Sequence, residues 1–371
     1  MNAASTRGRA RWWRDFDWLM AGAALLVGIL GLFQVYSATF NTKFSSAFSQ
    51  HVVWLVLAIV VFTAVSHINY RHLVSLSPVL WVIGVLLLAA ILLLAEPVNG
   101  SRRWLPLPFG LSIQISEFMK VVLLLVVAKY CAGSATKMLR LRLRDFLPAA
   151  LLFFAVFLLV VLQPDLSTSL SMLPIAITVL FLSRISKKHW LLGALALVLL
   201  VPLLWASLKP YQRDRIAGFL SPEEAPLGIG YQIRQSKIAV GTGGMWGQGF
   251  VQGSQTQLRF LPTPHTDFIL AAFAEERGFA GIAIVLGLYY VLLMRITDTA
   301  RSARDPEGTL LAMGVASVLL FHVTVNGGMV VNKLPVTGLP LPLMSYGGSN
   351  LLTVAIMLGI VNSVRIRRFV N

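Results

Sequence analysis

Long apolar runs constrain this chain more than any other feature of its sequence. Runs of about 17–25 mostly apolar residues recur along it, and an α-helix of that length crosses a bilayer. Of its 371 residues 57% are hydrophobic and 12% are charged, and the mean hydropathy is +0.76. Such values are not typical of a soluble chain, and the alternating segments of about ten residues that mark a membrane β-barrel are missing. The sequence therefore predicts an all-α polytopic membrane protein.

Ten transmembrane helices are predicted within a single membrane domain that covers residues 1–371. The predicted spans are 17–38, 50–66, 76–96, 115–131, 147–163, 167–183, 190–207, 279–296, 308–327 and 349–364. Basic tails lie at 1–16 and 365–371, and a long polar loop, 208–266, separates the seventh and eighth helices. Because structureless loops of this length are uncommon in compact domains, the loop is expected to be functional.

The distribution of basic residues predicts the side of the membrane that each segment faces. With the N-terminus inside, the cytoplasmic segments hold eighteen Arg and Lys residues, which cluster in the N-terminal tail, in 137–144 and in 365–368. The short outer loops hold four, namely Lys43, Arg102, Arg103 and Lys333. Since basic residues favour the cytoplasmic side, both termini are predicted to be cytoplasmic and the long loop extracytoplasmic.

The net charge of +16 does not indicate a nucleic-acid partner. The 31 Lys and Arg residues are spread over loops and termini and form no basic stripe, so anionic lipid headgroups explain them better. The glycine-rich segment GTGGMWGQGFVQG lacks the strand and the Lys-Ser/Thr pair of a nucleotide phosphate loop. Its glycines are expected to form tight turns and close backbone contacts.

The stretch LRFLPTPHTDFILAAFAEERG, residues 258–278, ends the long loop and carries Asp267. Thr266 is the predicted N-cap of a helix in which Phe268 and later apolar residues form one side. This helix would hold Asp267 rigidly in its first turn at the mouth of the membrane domain. A simpler interpretation stays open, in which Asp267 only complements the helix dipole.

Charged side chains in or beside membrane spans are costly, so each needs a partner or a task. Glu117 and Lys120 begin the fourth span three residues apart and either neutralise each other or bind a ligand. Asp165, in LQPDLSTS, either caps the sixth span or contributes to a site on the outer surface. Arg213 and Arg215, in YQRDRI, begin the long loop.

Under the predicted topology the polar groups collect at the outer surface. The groups that lie there are Arg102, Arg103, Glu117, Lys120, Asp165, Arg213, Arg215, Asp267, Ser345 and Tyr346. A cavity with cations and carboxylates that opens to the outer leaflet suits an amphiphile with an anionic headgroup, because Arg and Lys hold phosphate oxygens. Since ATP and nucleotide sugars are cytoplasmic, chemistry on the outside needs a donor that carries its own activation. A sugar on a lipid pyrophosphate meets this requirement.

Further candidate binding residues come from three short segments. Trp104, in GSRRWL, is either an interfacial anchor or a substrate contact. In IGYQIRQSKIAVG, a predicted short helix of the long loop, Gln232 and Ser236 lie one turn apart and Lys237 is adjacent. His265 is a candidate base that competes with Asp267.

Several long motifs, in the same order, resemble the SEDS family (shape, elongation, division and sporulation). These motifs are GSRRWL, LQPDLSTS, YQIRQSKIAVGTGGMWGQGF, HTDFILAAFAEERGFAGI and VNGGMVVNKLPVTGLPLPLMSYGGSN, and together they extend over most of the chain. The resemblance implies a ten-helix peptidoglycan glycosyltransferase of the bacterial cytoplasmic membrane that polymerises lipid II on the outer face. It also implies a class B penicillin-binding protein and other elongation-complex membrane proteins as partners.

The resemblance assigns roles to particular residues. The aspartate that the family needs for polymerisation falls on Asp267, the polar cavity residues on Glu117, Lys120 and Asp165, and the tryptophan of RRWL on Trp104. One departure matters, since the family's LPExHTDF pattern reads LPTPHTDF here and Thr263 brings no carboxylate.

The expected mechanism is an inverting displacement with Asp267 as general base and nearby cations on the leaving pyrophosphate. A divalent cation, Mg²⁺ or Mn²⁺, held partly by Asp267 is a further expectation, although the sequence has no preassembled ligand cluster. Two alternatives stay open. One is a flippase for a lipid-linked precursor, for which His322 and Asn326 would supply intramembrane polar groups. The other is a non-catalytic scaffold for the penicillin-binding protein.

Overall fold

The computed structural model describes residues 13–42, 44–94, 103–106, 112–133, 143–182, 191, 213, 217–219, 221 and 228–369. Its longer helices are α1 (Trp18–Thr39), α2 (Ser46–His67), α3 (Tyr70–Leu94), α4 (Ile115–Gly133), α5 (Leu143–Leu162), α6 (Leu166–Leu182), α7 (Ile229–Gly243), α9 (Ile269–Arg301), α10 (Pro306–Val330) and α11 (Gly348–Ile366). The short helix α8 (Ser254–Gln257) and an antiparallel hairpin of β1 (Leu105–Pro106) and β2 (Ser112–Ile113) complete the described elements.

Among the described residues, six helices are long and apolar enough to cross a membrane: α1, α2, α3, α9, α10 and α11. Two shorter apolar segments lie in α5 and α6. In the described ranges, nine of the ten predicted spans coincide with a helix. The predicted span 190–207 lies outside these ranges apart from position 191, as does most of 208–227. The chain is therefore a helical, polytopic membrane-type protein.

The centre of the bundle is formed by α4, α10 and α11. Of the most apolar stretch of α11, 83% is buried inside the protein, whereas the figure for α2 is 17%. α11 packs against α2 and α4, and α10 packs against α4, α6 and α9. Since lipid is as apolar as leucine, the outer helices can leave their apolar side chains exposed. Polar side chains, by contrast, avoid lipid, and we expect them in the buried centre of the bundle near α4, α10 and α11.

The helix ends divide the molecule into two faces. We call the end with the start of α1, the end of α11 and the α9–α10 connection the terminal face. Here Asp17 caps α1 and lies 3.1 and 3.3 Å from Arg295 and Arg365. Asp305 caps α10 and lies 2.6 Å from Arg71. We call the opposite end, which contains 103–106, 112–114, 244–268 and 331–347, the loop face.

α9 is broken at Gly278, whose φ of 64° and ψ of −166° are not helical. The backbone groups that the break frees pair with the glycine-rich loop, through four hydrogen bonds of 2.9–3.1 Å between residues 244–249 and 275–280. A Cβ added at Gly278 would lie 2.4 Å from the Gly247 nitrogen, so a side chain does not fit there. The predicted close backbone contacts of this loop are thus confirmed, and α9 consists of a half-helix, 269–277, and a long second part.

Candidate functional site

Asp267 lies at the loop face, in the turn 264–268 directly before α9. The prediction that Thr266 caps this helix is wrong. Phe268 occupies the N-cap position and no side chain caps the helix, because the Thr266 hydroxyl points back to the Thr263 carbonyl at 3.4 Å. Asp267 therefore precedes the first turn, and since it is half-buried it can be reached from the surface of the loop face.

The backbone around Asp267 is held by donors from elsewhere in the chain. The three consecutive carbonyls of residues 265–267 accept, in this order, from the Tyr346 amide at 2.9 Å, the Ser345 hydroxyl at 2.7 Å and the Asn326 side-chain amide at 3.0 Å. The loop between α10 and α11 and one turn of α10 therefore fix the path of the chain through Asp267.

Ser345 and Tyr346, two of the predicted binding residues, lie in the loop 331–347. Prolines at 335, 340 and 342 prevent this loop from continuing as a helix. The Ser345 hydroxyl also accepts from the Leu341 amide at 2.9 Å, so both of its hydrogen bonds go to the backbone. The Tyr346 hydroxyl donates to Gln50 of α2.

His265 lies beside Tyr346, with 6.0 Å between their ring centroids, and 5.3 Å from the ring of Phe44. Burial lowers the pKa of His265 below its usual 6.5, because the charged imidazolium loses hydration. Burial raises the pKa of Tyr346 for the corresponding reason. At neutral pH the imidazole of His265 is therefore uncharged.

Glu117 and Lys120 form a buried ion pair at the start of α4, with 2.8 Å between Oε2 and Nζ. The two residues are 4% and 1% exposed. Asn350 of α11 donates to Glu117 at 2.9 Å. The two charges pair with each other, which was one of the two alternatives, and this pair is completed by hydrogen bonds as a buried charge requires. Ligand binding by Glu117 and Lys120 stays a prediction.

α10 connects this ion pair with the segment around Asp267. His322 lies 3.5 Å from Lys120 Nζ and contacts the Pro340 carbonyl at 3.1 Å. One turn later Asn326 donates to the Leu339 carbonyl at 2.9 Å. From the sequence, His322 and Asn326 were predicted only to line a path across the membrane. They are four residues apart in an apolar helix, and this spacing could have predicted that both lie on the same, polar side of α10.

Asp165 is almost fully buried, at 1% exposure, between α5 and α6. It accepts from the Thr168 amide at 3.2 Å and so caps α6, and it also pairs with Arg103 at 3.2 Å and accepts from the side chain of Gln114. The capping interpretation of Asp165 is thus confirmed, and its contribution to a site on the outer surface stays a prediction. Gln114, whose backbone amide donates to Ser349 at 2.9 Å, was missed by sequence reasoning.

The other predicted binding residues are placed less centrally. Trp104 is half-buried next to Arg103, directly before β1. In α7, the predicted short helix, Gln232 is half-buried and Lys237 is exposed. Ser236 is fully buried, and its hydroxyl donates to the Val330 carbonyl at 2.9 Å, which packs α7 on α10. Arg213 is exposed, and Arg102 and Arg215 lie outside the described residues.

Two buried carboxylates hold the half-helix of α9, one to the segment before Asp267 and one to α1. Glu275, which is 0% exposed, accepts from the amides of Gln255 and Thr256 at 2.6 and 3.1 Å and so caps α8. The hydroxyl of Ser37 in α1 donates to Glu276. Neither role was predicted, because both depend on contacts between segments distant in sequence.

No three His, Cys, Asp or Glu side chains come together as a metal site within the described ranges. The expected cation at Asp267 thus has no set of three such ligands among these residues. What the arrangement offers is a half-buried carboxylate on a fixed backbone at the loop face, together with two cations, Lys120 and Arg103, that are held by carboxylates of their own. Such a site can accept a proton and stabilise developing negative charge.

Fold and site together define a polytopic helical membrane protein with a polar site at one face. Residues 17–369 match the model of the FtsW, RodA and SpoVE family of cell cycle proteins. The chain therefore belongs to this family, which is the SEDS family that its motifs indicated.

Similar proteins are known by sequence and by structure. The chain is 41% identical over 323 residues to the peptidoglycan glycosyltransferase MrdB of Escherichia coli K12, covering 85% of this chain and 84% of that one. A chain of a peptidoglycan synthase complex that coordinates polymerization and crosslinking superposes with a TM-score of 0.81, at 33% identity, covering 96% of this chain and 99% of that chain. The rod shape determining protein RodA of Thermus thermophilus has a TM-score of 0.70, at 29% identity, with coverages of 96% and 98%.

Proposed function

We propose that this chain is a peptidoglycan glycosyltransferase that polymerises lipid II into glycan strands at the outer face of the bacterial cytoplasmic membrane. Peptidoglycan glycosyltransferase is also the activity named for the similar protein MrdB, and this chain belongs to the FtsW, RodA and SpoVE family. The observation that carries the proposal is the half-buried Asp267 in the HTDF motif, on a backbone held at three consecutive carbonyls. The segment LPVTGLPLPLMSYGGS favours a RodA-like role in cell elongation and shape over an FtsW-like role in division.

The reaction is an inverting displacement at the donor's anomeric carbon. The 4-hydroxyl of the acceptor sugar forms the new bond to that carbon while the bond to the pyrophosphate oxygen breaks, and undecaprenyl pyrophosphate leaves. Asp267 accepts the proton of the attacking hydroxyl. A positioned base of this kind contributes about 10²–10⁴-fold to the rate.

Cations at the loop face bind the pyrophosphate. Lys120 and Arg103 are held by Glu117 and Asp165, so they are oriented before the substrate arrives. Further binding contacts are assigned to other predicted residues: Arg102, Trp104, Arg213, Arg215, Gln232, Lys237, His265, Thr266 and Tyr346. Ser236 and Ser345 are left out of this set because their hydroxyls are buried and bonded to the backbone. A requirement for Mg²⁺ or Mn²⁺ is part of the proposal, and loss of polymerisation with a chelator would support it.

The loop face is proposed to be extracytoplasmic, with ten spans and both termini in the cytoplasm. Basic residues on the described part of the terminal face support this orientation, since such residues favour the cytoplasmic side. They are Arg71, Arg295, Arg301, Arg304, Arg365, Arg367 and Arg368. Labelling of an Asp267→Cys variant by an impermeant reagent on intact cells tests the orientation.

A class B penicillin-binding protein is the proposed partner. The similar chain of known structure belongs to a complex that coordinates polymerization with crosslinking, and crosslinking is the reaction that such a partner would supply. Other elongation-complex membrane proteins are proposed to join this pair, and no nucleic acid is involved.

The test is polymerisation of fluorescent lipid II by the full-length chain together with this partner. Asp267→Asn should lower glycan formation by about 10²–10⁴-fold without changing expression or partner binding. Asp298→Asn is the matched control, because Asp298 lies at the terminal face and its carboxylate pairs with Arg295 and Arg301 of its own helix. Unchanged polymerisation by the Asp267 variant would refute the assignment.

The same experiment separates the two alternatives. Transbilayer movement of lipid II without glycan chains would indicate a flippase, an idea that retains some support because His322 and Asn326 are buried within α10. If neither lipid II movement nor glycan chains are observed, the remaining interpretation is a non-catalytic scaffold for the penicillin-binding protein.

A further inference from the structure

The three donors to the carbonyls of residues 265–267 form what we call the carbonyl clamp: the Asn326 side chain, the Ser345 hydroxyl and the Tyr346 amide. The carbonyls lie before the first helical turn, since the hydrogen bonds of α9 begin at the Phe268 carbonyl. They therefore need partners from other segments. Two of the three donors are side chains, so this part of the clamp depends on residue identity and can be removed by substitution.

The two side chains of the clamp are buried and fully used as donors. Asn326 is 0% exposed, and its amide group donates to the Leu339 carbonyl as well as to Asp267. Ser345 is 4% exposed and bridges the Thr266 carbonyl and the Leu341 amide. Both side chains thus tie the Asp267 segment to the loop 339–346.

The clamp fixes the direction in which the Asp267 side chain leaves the backbone. The peptide plane before its Cα contains the Thr266 carbonyl, and the plane after it contains the Asp267 carbonyl. Because peptide groups are planar, holding these two carbonyls holds φ and ψ of Asp267. Only its side-chain torsions then remain to be set.

We propose that Asn326 and Ser345 are positioning residues for the glycosyl transfer, which act through the backbone of Asp267 and do not bind the substrate. This inference rests on the proposed function, and it replaces a substrate contact by Ser345 with a structural role in catalysis. A general base must lie within about 2.6–3.2 Å of the proton it removes. A displacement of about 1 Å costs on the order of 10²-fold in rate.

The test uses Ser345→Ala and Asn326→Ala in the full-length chain with its partner and fluorescent lipid II. We expect kcat to fall by about 10–100-fold, while KM stays within about threefold because uniform substrate binding is retained. Both variants lose only small polar groups, so the chain should remain folded.

Two matched controls come from the terminal face. Ser363 is also fully buried, donates to the Ile68 carbonyl at 2.6 Å and accepts from the Tyr70 amide at 3.1 Å. Ser363→Ala therefore removes the same pair of backbone hydrogen bonds at the terminal face, together with one that Ser363 accepts from Arg367 at 2.7 Å. Asn362, which is 0% exposed, provides Asn362→Ala. We expect the controls to lower the melting temperature as much as the clamp variants and to leave kcat within about twofold.

Hydrogen–deuterium exchange gives a readout that does not depend on activity. The amides of Leu341 and Tyr346, which the clamp holds, should exchange about tenfold faster in Ser345→Ala and unchanged in Ser363→Ala. The proposal is overturned if these rates do not change, or if kcat of the clamp variants falls no further than that of the controls. If the unmodified chain makes no glycan, the proposed function fails, and the exchange rates alone decide whether the clamp exists.

Discussion

The terminal face and the loop face both contain carboxylates that are buried or half-buried, but not all of these carboxylates do the same thing. At the terminal face Asp17 and Asp305 each cap a helix and each contact at least one arginine from another helix. At the loop face Asp165 follows this pattern, since it caps α6 and pairs with Arg103.

Two other loop-face carboxylates differ from this pattern. Glu117 pairs with Lys120 of its own helix. Asp267 directly precedes the N-cap position of α9, and uncharged donors hold its backbone.

This difference separates charges that join helices from charges that are held ready for a ligand. A carboxylate that caps one helix and pairs with arginines of other helices lowers the free energy of the folded bundle directly, since it satisfies a helix end and links two elements. The Glu117–Lys120 pair lies within one helix and reaches other helices only through the uncharged side chains of Asn350 and His322, and its desolvation offsets most of its attraction. Its retention in the centre of the bundle is better explained by a task at the loop face.

The largest expected effect is the loss of stability when the Glu117–Lys120 ion pair is broken. Glu117→Gln leaves the buried Lys120 without its counter-ion, which should cost about 3–5 kcal/mol and lower the melting temperature sharply. The double variant Glu117→Gln with Lys120→Met should recover most of this loss, because it buries no charge. Glycan formation by the double variant should nevertheless stay low, since the positioned cation for the pyrophosphate is gone.

Asp17→Asn is the control for this prediction at the terminal face. Asparagine can still cap α1, so the loss comes from the two arginines and should be about 1.5–3 kcal/mol. Both arginines are partly exposed, which reduces the cost further. If the Glu117 and Lys120 double variant polymerised lipid II at the normal rate, the distinction between the two faces would fail.

A second prediction concerns the backbone at the loop face. Gly278→Ala should cost about 1–3 kcal/mol from strain alone, because φ there is 64°, and the contact of its Cβ with the Gly247 nitrogen adds to this. The paired control is Gly287→Ala in the same helix, where an added Cβ meets nothing within 4 Å. Gly287→Ala should be neutral or stabilising. Equal melting temperatures for the two variants would show that the break in α9 does not depend on glycine.

Much of the fold was predictable because lipid imposes a simple rule on sequence. Apolar length alone located the helices within a few residues, and α3 shows the limit, since it begins at Tyr70 and the prediction began at 76. The missing stretch, YRHLVS, is polar, and hydropathy does not detect a helix that extends beyond the hydrocarbon region.

The site was predicted less completely, for a physical reason. Charged residues such as Glu117, Asp165 and Asp267 stood out because charge near a membrane is costly. Gln114 did not, and Asn326 was predicted only as part of a path across the membrane, since the importance of both lies in which carbonyl or carboxylate they reach. The Thr266 cap failed for the same reason, because the Ser345 loop takes its carbonyl and the turn leaves its hydroxyl away from the helix.

The pH dependence of stability should also differ between the two faces. At the terminal face, burial favours the neutral form of Asp305, but hydrogen bonds from Gly308, Tyr70 and Arg71 outweigh it and keep its pKa below 3.8. Its contribution is present above pH 3.8 and is lost as the pH falls through this lowered pKa. At the loop face, His265 has a pKa below 6.5 because of burial. The unfolded chain therefore binds more protons than the folded one as the pH falls below 6.5, and stability begins to fall there.

Between pH 7 and 5 the contribution of His265 to stability should therefore fall, whereas that of Asp305 should not. The effect is small, well under about 1.4 kcal/mol per pH unit, because His265 is only partly buried. His265→Asn should reduce the fall in melting temperature over this interval, and Asp305→Asn should leave the fall unchanged while lowering the melting temperature at both pH values. Activity sharpens the same comparison. If Asp267 is the base, His265→Asn should lower the polymerisation rate at pH 7 far less than Asp267→Asn does. An equal loss of rate in the two variants would indicate that the imidazole of His265 is the base.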